Sequence, residues 1–248
     1  MVDDTLYIDA DTILYKSAFA SEVETEWDND IWTLHSDLGE AKHIFSQSIR
    51  EIQNSFDEDF KSILCFTGDT NFRKELLPEY KANRKKTRKP IVLKPLKEWA
   101  IYTYNSMVVP RLEADDILGL HATEGVMVSI DKDLKTVAGL HFNPDRVEKG
   151  MYEVTKEEAH YNHMIQTLCG DSTDGYGGCP KVGIKTAEKI LDVPQEEMWG
   201  AVIKAYKKQG LSEKYATIQA QVARILRGKE YNWDTCKISL WSPEGGET

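Results

Sequence analysis

No stretch of the 248 residues approaches the ~20 consecutive apolar positions that cross a bilayer, and the N-terminus meets Asp3 and Asp4 at once. The chain is therefore expected to carry neither a secretory signal nor a membrane span. Its four cysteines (Cys65, Cys169, Cys179, Cys236) form no CxxC pair and no zinc spacing. That excludes a disulfide scaffold and fits reduced thiols in a cytoplasmic protein. None of the six histidines falls into HExxH or a related pattern, and His160 and His163 are expected on a helix surface. No P-loop, GxGxxG element, kinase-type loop or nucleophilic Ser or Cys motif is present, so nucleotide binding and covalent catalysis lack support. A hydrophobic content of 41% beside 29% charged residues excludes a disordered chain.

What is there is charge, unevenly spread. The formal net charge of −10 argues at first against a nucleic-acid partner. Residues 1–60 hold 15 Asp and Glu against three Lys and Arg, whereas residues 73–97 hold ten Lys and Arg against only Glu75 and Glu79. A dense basic segment on an acidic protein can grip a polyanion locally, or can be a solvated helix face. Charge alone leaves both open.

Short apolar runs alternate with helical patterns through the first half, which predicts a mostly parallel sheet flanked by helices. Strands are expected at Leu6–Ile8, Ile63–Phe66, Met107–Val109 and Val126–Ile130, with helices over 12–21, 41–56 and from about Glu113. In the second half, Thr155 and Glu158 fit a capping box ahead of a helix reaching Leu168. Helices near 184–192, 195–208 and 212–227 follow glycine-rich residues 175–183, with Gly228 as a stop and Lys237–Trp241 as a strand returning to the sheet. This places an α/β domain over 1–150 and a mostly helical one over 151–248.

Acids stand at the ends of the expected strands, where ligands bind in open α/β sheets. Asp9 and Asp11 follow the first strand, Asp69 the second, and Asp131 and Asp133 the last. Glu113, Asp115 and Asp116 open a helix, with Glu113 and Asp116 on one face, and Asp171 and Asp174 stand three apart beside glycines. Any one of these could be a helix cap or a turn residue. So many like charges cannot share a site ionised without a cation, and hard oxygen donors suit Mg²⁺ or Mn²⁺. Carboxylate-held cations beside a basic segment point to phosphodiester hydrolysis.

Five ordered motifs then carry a resemblance: IDAD, FRKELLPEYKANRKK, LEADDILG, SIDKD and GDSTDGYGGCPKVGIKTAEKIL. Together they resemble the metal-dependent 5′ nucleases, the superfamily of flap endonucleases, the 5′-nuclease domain of bacterial DNA polymerase I and phage 5′→3′ exonucleases. With the late stretch ARILRGKEYNW, the chain is most similar to the exonucleases of short-tailed phages. The resemblance implies a PIN-like α/β fold with a basic helical arch over about 72–105 and a helix–three-turn–helix element over about 165–192. It implies one cation held by Asp9, Glu113, Asp115 and Asp131, with Asp116 beside them, and a second by Asp133, Asp171 and Asp174. Asp69 stands near the family's second-strand aspartate and joins the metal set, whereas Asp11 receives no role. Tyr80, Lys81 and Arg84 match the arch's YKxxR element, in which Tyr80 would stack on a base while Lys81 and Arg84, three apart on one helix face, serve catalysis, and Lys85 adds a further DNA contact. Gly178, Val182, Gly183, Lys185 and Thr186 would grip duplex backbone with the help of a K⁺ ion. Gly175, Tyr176, Gly177 and Lys181 depart from the family's usual residues there.

The implied activity is a Mg²⁺-dependent 5′→3′ exonuclease, with Mn²⁺ substituting. It would act as a monomer on duplex DNA ends and on RNA annealed to DNA, in the (host) cytoplasm. A structure-specific flap endonuclease would use the same residues. A non-catalytic DNA-binding module and a toxin-like ribonuclease are alternatives of other classes.

Overall fold

The structure of the protein is a computed structural model that describes residues 4–28, 30–57 and 60–243, with the side chain of Lys85 outside the description. Strand β1 (Thr5–Asp9) buries Leu6, Tyr7 and Ile8 on both faces, as a central parallel strand must. Asp9 ends it and caps helix α1 (Ala10–Ala20) by accepting the Asp11 N–H at 3.2 Å. Strands β2 (Glu22–Trp27) and β3 (Ile31–Ser36) pair antiparallel as a separate ribbon. No expectation covered this ribbon, although Glu22–Trp27 alternates acids with Val23, Thr25 and Trp27. Helix α2 (Leu38–Gln53), capped by Asp37, buries Ala41, Phe45, Ile49 and Ile52, and strand β4 (Lys61–Phe66) follows.

The basic segment is not one helix. It resolves into a single turn α3 (Arg73–Leu76), a 3₁₀ turn (Ala82–Lys86) and helix α4 (Leu93–Thr103). Then come strand β5 (Ser106–Val108), helix α5 (Ala114–Leu120), strand β6 (Val126–Val128), a 3₁₀ turn (Lys132–Thr136), and strands β7 (Gly139–Phe142) and β8 (Tyr152–Val154). Helix α6 (Lys156–Cys169) carries the Thr155–Glu158 capping box expected from the sequence. Helices α7 (Ile184–Ile190), α8 (Met198–Lys208) and α9 (Glu213–Ala223) precede a short hairpin of β9 (Tyr231–Asn232) and β10 (Lys237–Ile238).

The chain forms two compact units, the first of residues 1–68, 88–130 and 140–152, the second of residues 69–87, 131–139 and 153–248. In the first, five strands run in the order β5-β4-β1-β6-β7, paired in parallel. Its core gathers Leu6, Ile8, Leu14, Phe45, Ile49, Leu64, Phe66 and Leu96. Phe45 is fully buried and meets Trp99 and Tyr104 edge-on, so its truncation to Ala should cost about 3–5 kcal/mol. The second unit is mostly helical around Met164, Leu168, Val202, Tyr206, Ala216 and Ala220.

Three expectations are corrected here. Helix α4, placed within the arch by the resemblance, sinks Leu96 and Ala100 into the first core, because its apolar stripe needs a partner. Lys237 begins a strand that pairs with β9 and does not return to the large sheet. The last helix stops at Ala223 and not at Gly228, since Arg224 turns extended (ψ 120°) to place its buried guanidinium on Glu230, 2.6 Å away.

Candidate active site

In the first unit the acids sit where β1 and β4 end. Asp9 is 4% exposed, and its Oδ2 accepts the Ser129 hydroxyl at 3.0 Å. Asp11 Oδ2 accepts the Thr67 N–H at 3.0 Å, and Thr67 in turn accepts the Ala114 N–H at 3.1 Å through its hydroxyl. The start of α5, with Glu113 as its cap and Asp115 in its first turn, is thereby tied to the end of β4. Close approach is built in at Gly68, where a Cβ would lie 2.5 Å from the Val109 carbonyl. The joint field of the acids is felt at buried Cys65, whose thiol pKa is pushed well up by desolvation and then by Asp9, Asp11 and Asp115. Asp116, assigned to catalysis from the sequence, is fully buried and accepts the Glu113 N–H at 3.0 Å. It closes the helix start and does not face a substrate.

In the second unit, Asp131 is exposed and accepts the Asp133 N–H at 2.8 Å. Asp133 has its carboxyl pKa pushed up to about 6 by burial, then by Asp131, Asp171 and Asp174. Asp171 orders the next turn: its Oδ1 accepts the Thr173 N–H at 2.6 Å, and its backbone pairs with Tyr176 in both directions. Asp174 Oδ2 accepts the Tyr80 hydroxyl at 3.0 Å and lies 3.4 Å from Lys81 Nζ, while its Oδ1 receives the Arg84 guanidinium. Asp69 lies exposed in this unit, ahead of α3. Among the described residues no three His, Cys, Asp or Glu side chains are gathered tightly enough to hold a metal ion.

The basic segment differs from its expectation in three places. Tyr80, expected to stack on a base, is 2% exposed among Tyr176, Val222 and Ala223, so its ring is not available to DNA. Lys81 and Arg84 do not share a helix face, because Lys81 is left-handed (φ 55°) and precedes the 3₁₀ turn. They come together because both reach Asp174. Arg73 is buried, its guanidinium donating to the carbonyls of Val222 (2.9 Å) and Arg224. It anchors the segment and is no part of a solvated face. Lys85, expected to contact DNA, has its side chain outside the described residues.

The glycine-rich stretch is likewise part scaffold, part surface. Gly178, expected to offer its amide to DNA, is buried and donates that N–H to Gln219 Oε1 at 2.9 Å. A Cβ on it would lie 2.3 Å from the Gly170 nitrogen. Gly183, Lys185 and Thr186 are exposed at the start of α7, and Val182 is half-buried just before it. Lys181, a departure from the family's glycine, is left-handed at φ 63°, a conformation that favours glycine. His163, expected on the surface, is fully buried with Nε2 2.8 Å from the Ala220 carbonyl oxygen, and burial lowers its pKa well below the usual imidazole range. Ser129 and Gln219 were not singled out in the sequence. Ser129 stands inside the SIDKD motif, which is the one signal that could have marked it.

Comparison with known proteins gives the family. The family model described as the N-terminal resolvase-like domain of 5′-3′ exonucleases matches residues 4–163. The exodeoxyribonuclease of Enterobacteria phage T3 is 32% identical, over 96% of this chain and 92% of its own length. The exonuclease of Escherichia phage T7 is 30% identical, over 96% and 93%. Among solved structures, the T5 D15 protein co-crystallised with metal ions shares the fold, with a TM-score of 0.63, 16% identity and 88% of each chain covered. No helix among the described residues is long and apolar enough to cross a membrane. On a family match over more than half its length, and on relatives that span nearly all of it, the chain belongs to the 5′-3′ exonuclease family.

Proposed function

We propose that this 5′-3′ exonuclease is Mg²⁺-dependent, releases nucleotides from 5′ ends of duplex DNA and removes RNA annealed to DNA. The observation that carries the reading is Asp9, a buried carboxylate at the end of β1 whose Oδ2 is held by the Ser129 hydroxyl at 3.0 Å, an oriented hard oxygen donor. Asp133, its pKa pushed up to about 6 by burial and then by Asp131, Asp171 and Asp174, supports it, since a bound divalent cation would relieve such repulsion. In the first unit, Asp9, Glu113 and Asp115 offer the same hard oxygen donors, and the Cys65 thiol pKa is raised by burial first and then by Asp9, Asp11 and Asp115. Asp9, Glu113, Asp115 and Asp131 would hold one cation, with Asp133, Asp171 and Asp174 serving another. When bound, Mg²⁺ supplies an activated water and stabilises the leaving oxygen of an in-line displacement.

The remaining work belongs to this chain's own groups. Ser129 orients Asp9, and Thr67 holds Asp11 and the start of α5 in place. Lys81 and Arg84 bind phosphate of the strand being cut. Gly183, Lys185 and Thr186 bind duplex backbone, reading phosphate and sugar, so cleavage is largely independent of sequence. A time-resolved digest of a 5′-labelled duplex, a flap and an RNA–DNA hybrid tests the reading. Mononucleotides from the duplex and the hybrid are expected, with Asp115→Asn binding DNA but turning over orders of magnitude more slowly. Flap-length oligomers alone would make the chain a flap endonuclease, and undiminished turnover in Asp115→Asn would remove that acid from the site.

A further inference from the structure

Thr67, the residue after β4, uses all three of its polar groups. Its N–H donates to Asp11 Oδ2 at 3.0 Å, and its hydroxyl accepts the Ala114 N–H at 3.1 Å. Its carbonyl accepts the ammonium of Lys97 at 2.5 Å. Asp11 is joined in turn to Asp9, whose Oδ1 takes the Asp11 N–H at 3.2 Å, and Ala114 opens α5 between Glu113 and Asp115. One residue thus ties the acids of β1 to those of α5. The peptide that follows it is held at both ends, with the Gly68 N–H on the Leu112 carbonyl at 2.9 Å and the Thr67 oxygen on Lys97.

Lys97 differs from its neighbours in the basic run by where α4 puts it. It follows Leu96 and stands three before Ala100, both fully buried, so its stem leaves from the rim of the packed face. The residue is half-buried, and its ammonium lies 5.8 Å from the centre of the Phe66 ring, at the carboxyl end of β4 where ligands of parallel sheets bind. Lys94, one turn earlier, has a side chain 89% exposed and Glu98 as a partner at 3.9 Å. A cation on a carbonyl makes a hydrogen bond roughly twice as strong as a neutral one. Removing it orphans the oxygen and frees one end of the Thr67–Gly68 peptide.

We propose that Lys97 is a positioning residue of the cleaving site: its hold on the Thr67 carbonyl fixes the point to which Asp11 and the start of α5 are tied, and so sets where Glu113 and Asp115 present their oxygens. This rests on the reading of those acids as cation ligands. The two acids flank Ala114, so the Ala114–Thr67 bond places both against the sheet at once. A Thr67 that can tilt passes its movement to the helix start. Mg²⁺ demands near-ideal geometry, so a small displacement of its donors costs affinity.

The test replaces Lys97 in the full chain by Met, which keeps an apolar stem without the ammonium, and by Arg, which keeps a charged donor. In metal-free protein, hydrogen exchange at the Thr67 and Ala114 amides should quicken about three- to ten-fold in Lys97→Met, the worth of one hydrogen bond. Mn²⁺ affinity measured by calorimetry should fall about ten-fold, the lower end of the loss when a ligand's support is removed. Duplex affinity in Ca²⁺ and its salt slope should stay as they are. Lys97→Arg should recover most of both losses, and Lys94→Met should match the unmutated chain throughout. Intact Mn²⁺ affinity in Lys97→Met overturns the proposal. With quickened exchange, Lys97 would then serve the fold alone; with weaker duplex binding and a salt slope shallower by about 0.9, it would be a phosphate contact. If Asp115→Asn binds Mn²⁺ as tightly as the unmutated chain, that acid is no ligand and the underlying reading fails, whatever Lys97 does.

Discussion

Ser129 donates its hydroxyl to Asp9 Oδ2 over 3.0 Å, and both side chains are buried. One residue closes β1 and the other follows β6, so the hydrogen bond fixes a carboxylate between adjacent parallel strands. Ser129→Ala removes the donor to Asp9 Oδ2, while Oδ1 keeps the Asp11 N–H. Loss of such a supporting partner typically weakens metal affinity or activity by about 10–100-fold. Calorimetry with Mn²⁺ and single-turnover cleavage should both report it, against a stability loss of only about 1 kcal/mol. Unchanged affinity would separate Asp9 orientation from metal binding.

Asp133 makes the metal-free protein sensitive to pH. Its folded pKa is raised to about 6 from 3.8, so the folded state binds the proton more tightly than the unfolded chain. The favourable contribution is complete below pH 3.8 and is lost as pH rises through 6. At pH 8 the charged carboxylate destabilises the fold, by about 1–2 kcal/mol once solvent screening is allowed for. Asp133→Asn should therefore raise the metal-free Tm at pH 8, with the advantage fading towards pH 4.5. A constant advantage across this range would place the effect elsewhere.

Glycine chemistry gives opposite expectations at two neighbouring sites. Gly178→Ala drives a Cβ into the Gly170 backbone and adds strain at φ 61°, so a loss of more than about 3 kcal/mol is expected in urea unfolding. Lys181→Gly relieves a left-handed lysine at φ 63° that has no such steric limit, and should cost nothing or gain up to about 1 kcal/mol. Equal losses at both positions would contradict the backbone account.

Lys81→Ala should lower single-turnover cleavage by about 10²–10³-fold with little change in duplex affinity, the scale of losing one stabilising donor. Lys94→Ala should leave cleavage unchanged. Duplex affinity itself should fall with salt at a log–log slope of about −4 to −5, for four to six neutralised phosphates. Equal, small effects of the two substitutions would reduce the basic segment to a solvated face.

The sheet was legible from the sequence because buried parallel strands are short apolar runs that end in polar residues. Leu6–Ile8 and Ile63–Phe66 fall inside the observed strands, and Met107–Val109 and Val126–Ile130 overlap theirs. The acids were legible for a related reason: Asp9 and the α5 start stand where strands end and helices begin, positions marked by composition. The β2–β3 ribbon was not: Glu22–Trp27 does alternate acids with Val23, Thr25 and Trp27, but Val23, Trp27, Ile31 and Trp32 are all exposed, so the alternation marks no buried face.

What the sequence by itself determined is the inventory: which carboxylates, bases and glycines occur, and in what order along the family's motifs. Which of them are available was decided by tertiary structure. Tyr80 and Arg73 read as surface residues of a basic run, yet Val222 and Ala223 cover the Tyr80 ring, and the carbonyls of Val222 and Arg224 take the Arg73 guanidinium from far along the chain. Asp116 reads as one more acid; its bond to the Glu113 N–H is a local capping box, but only the packing of α5 buries it completely. Gly178 reads as an open amide until Gln219 on α9 claims it. Exposure and hydrogen-bond partnership depend on residues distant in the chain, and no local pattern encodes them.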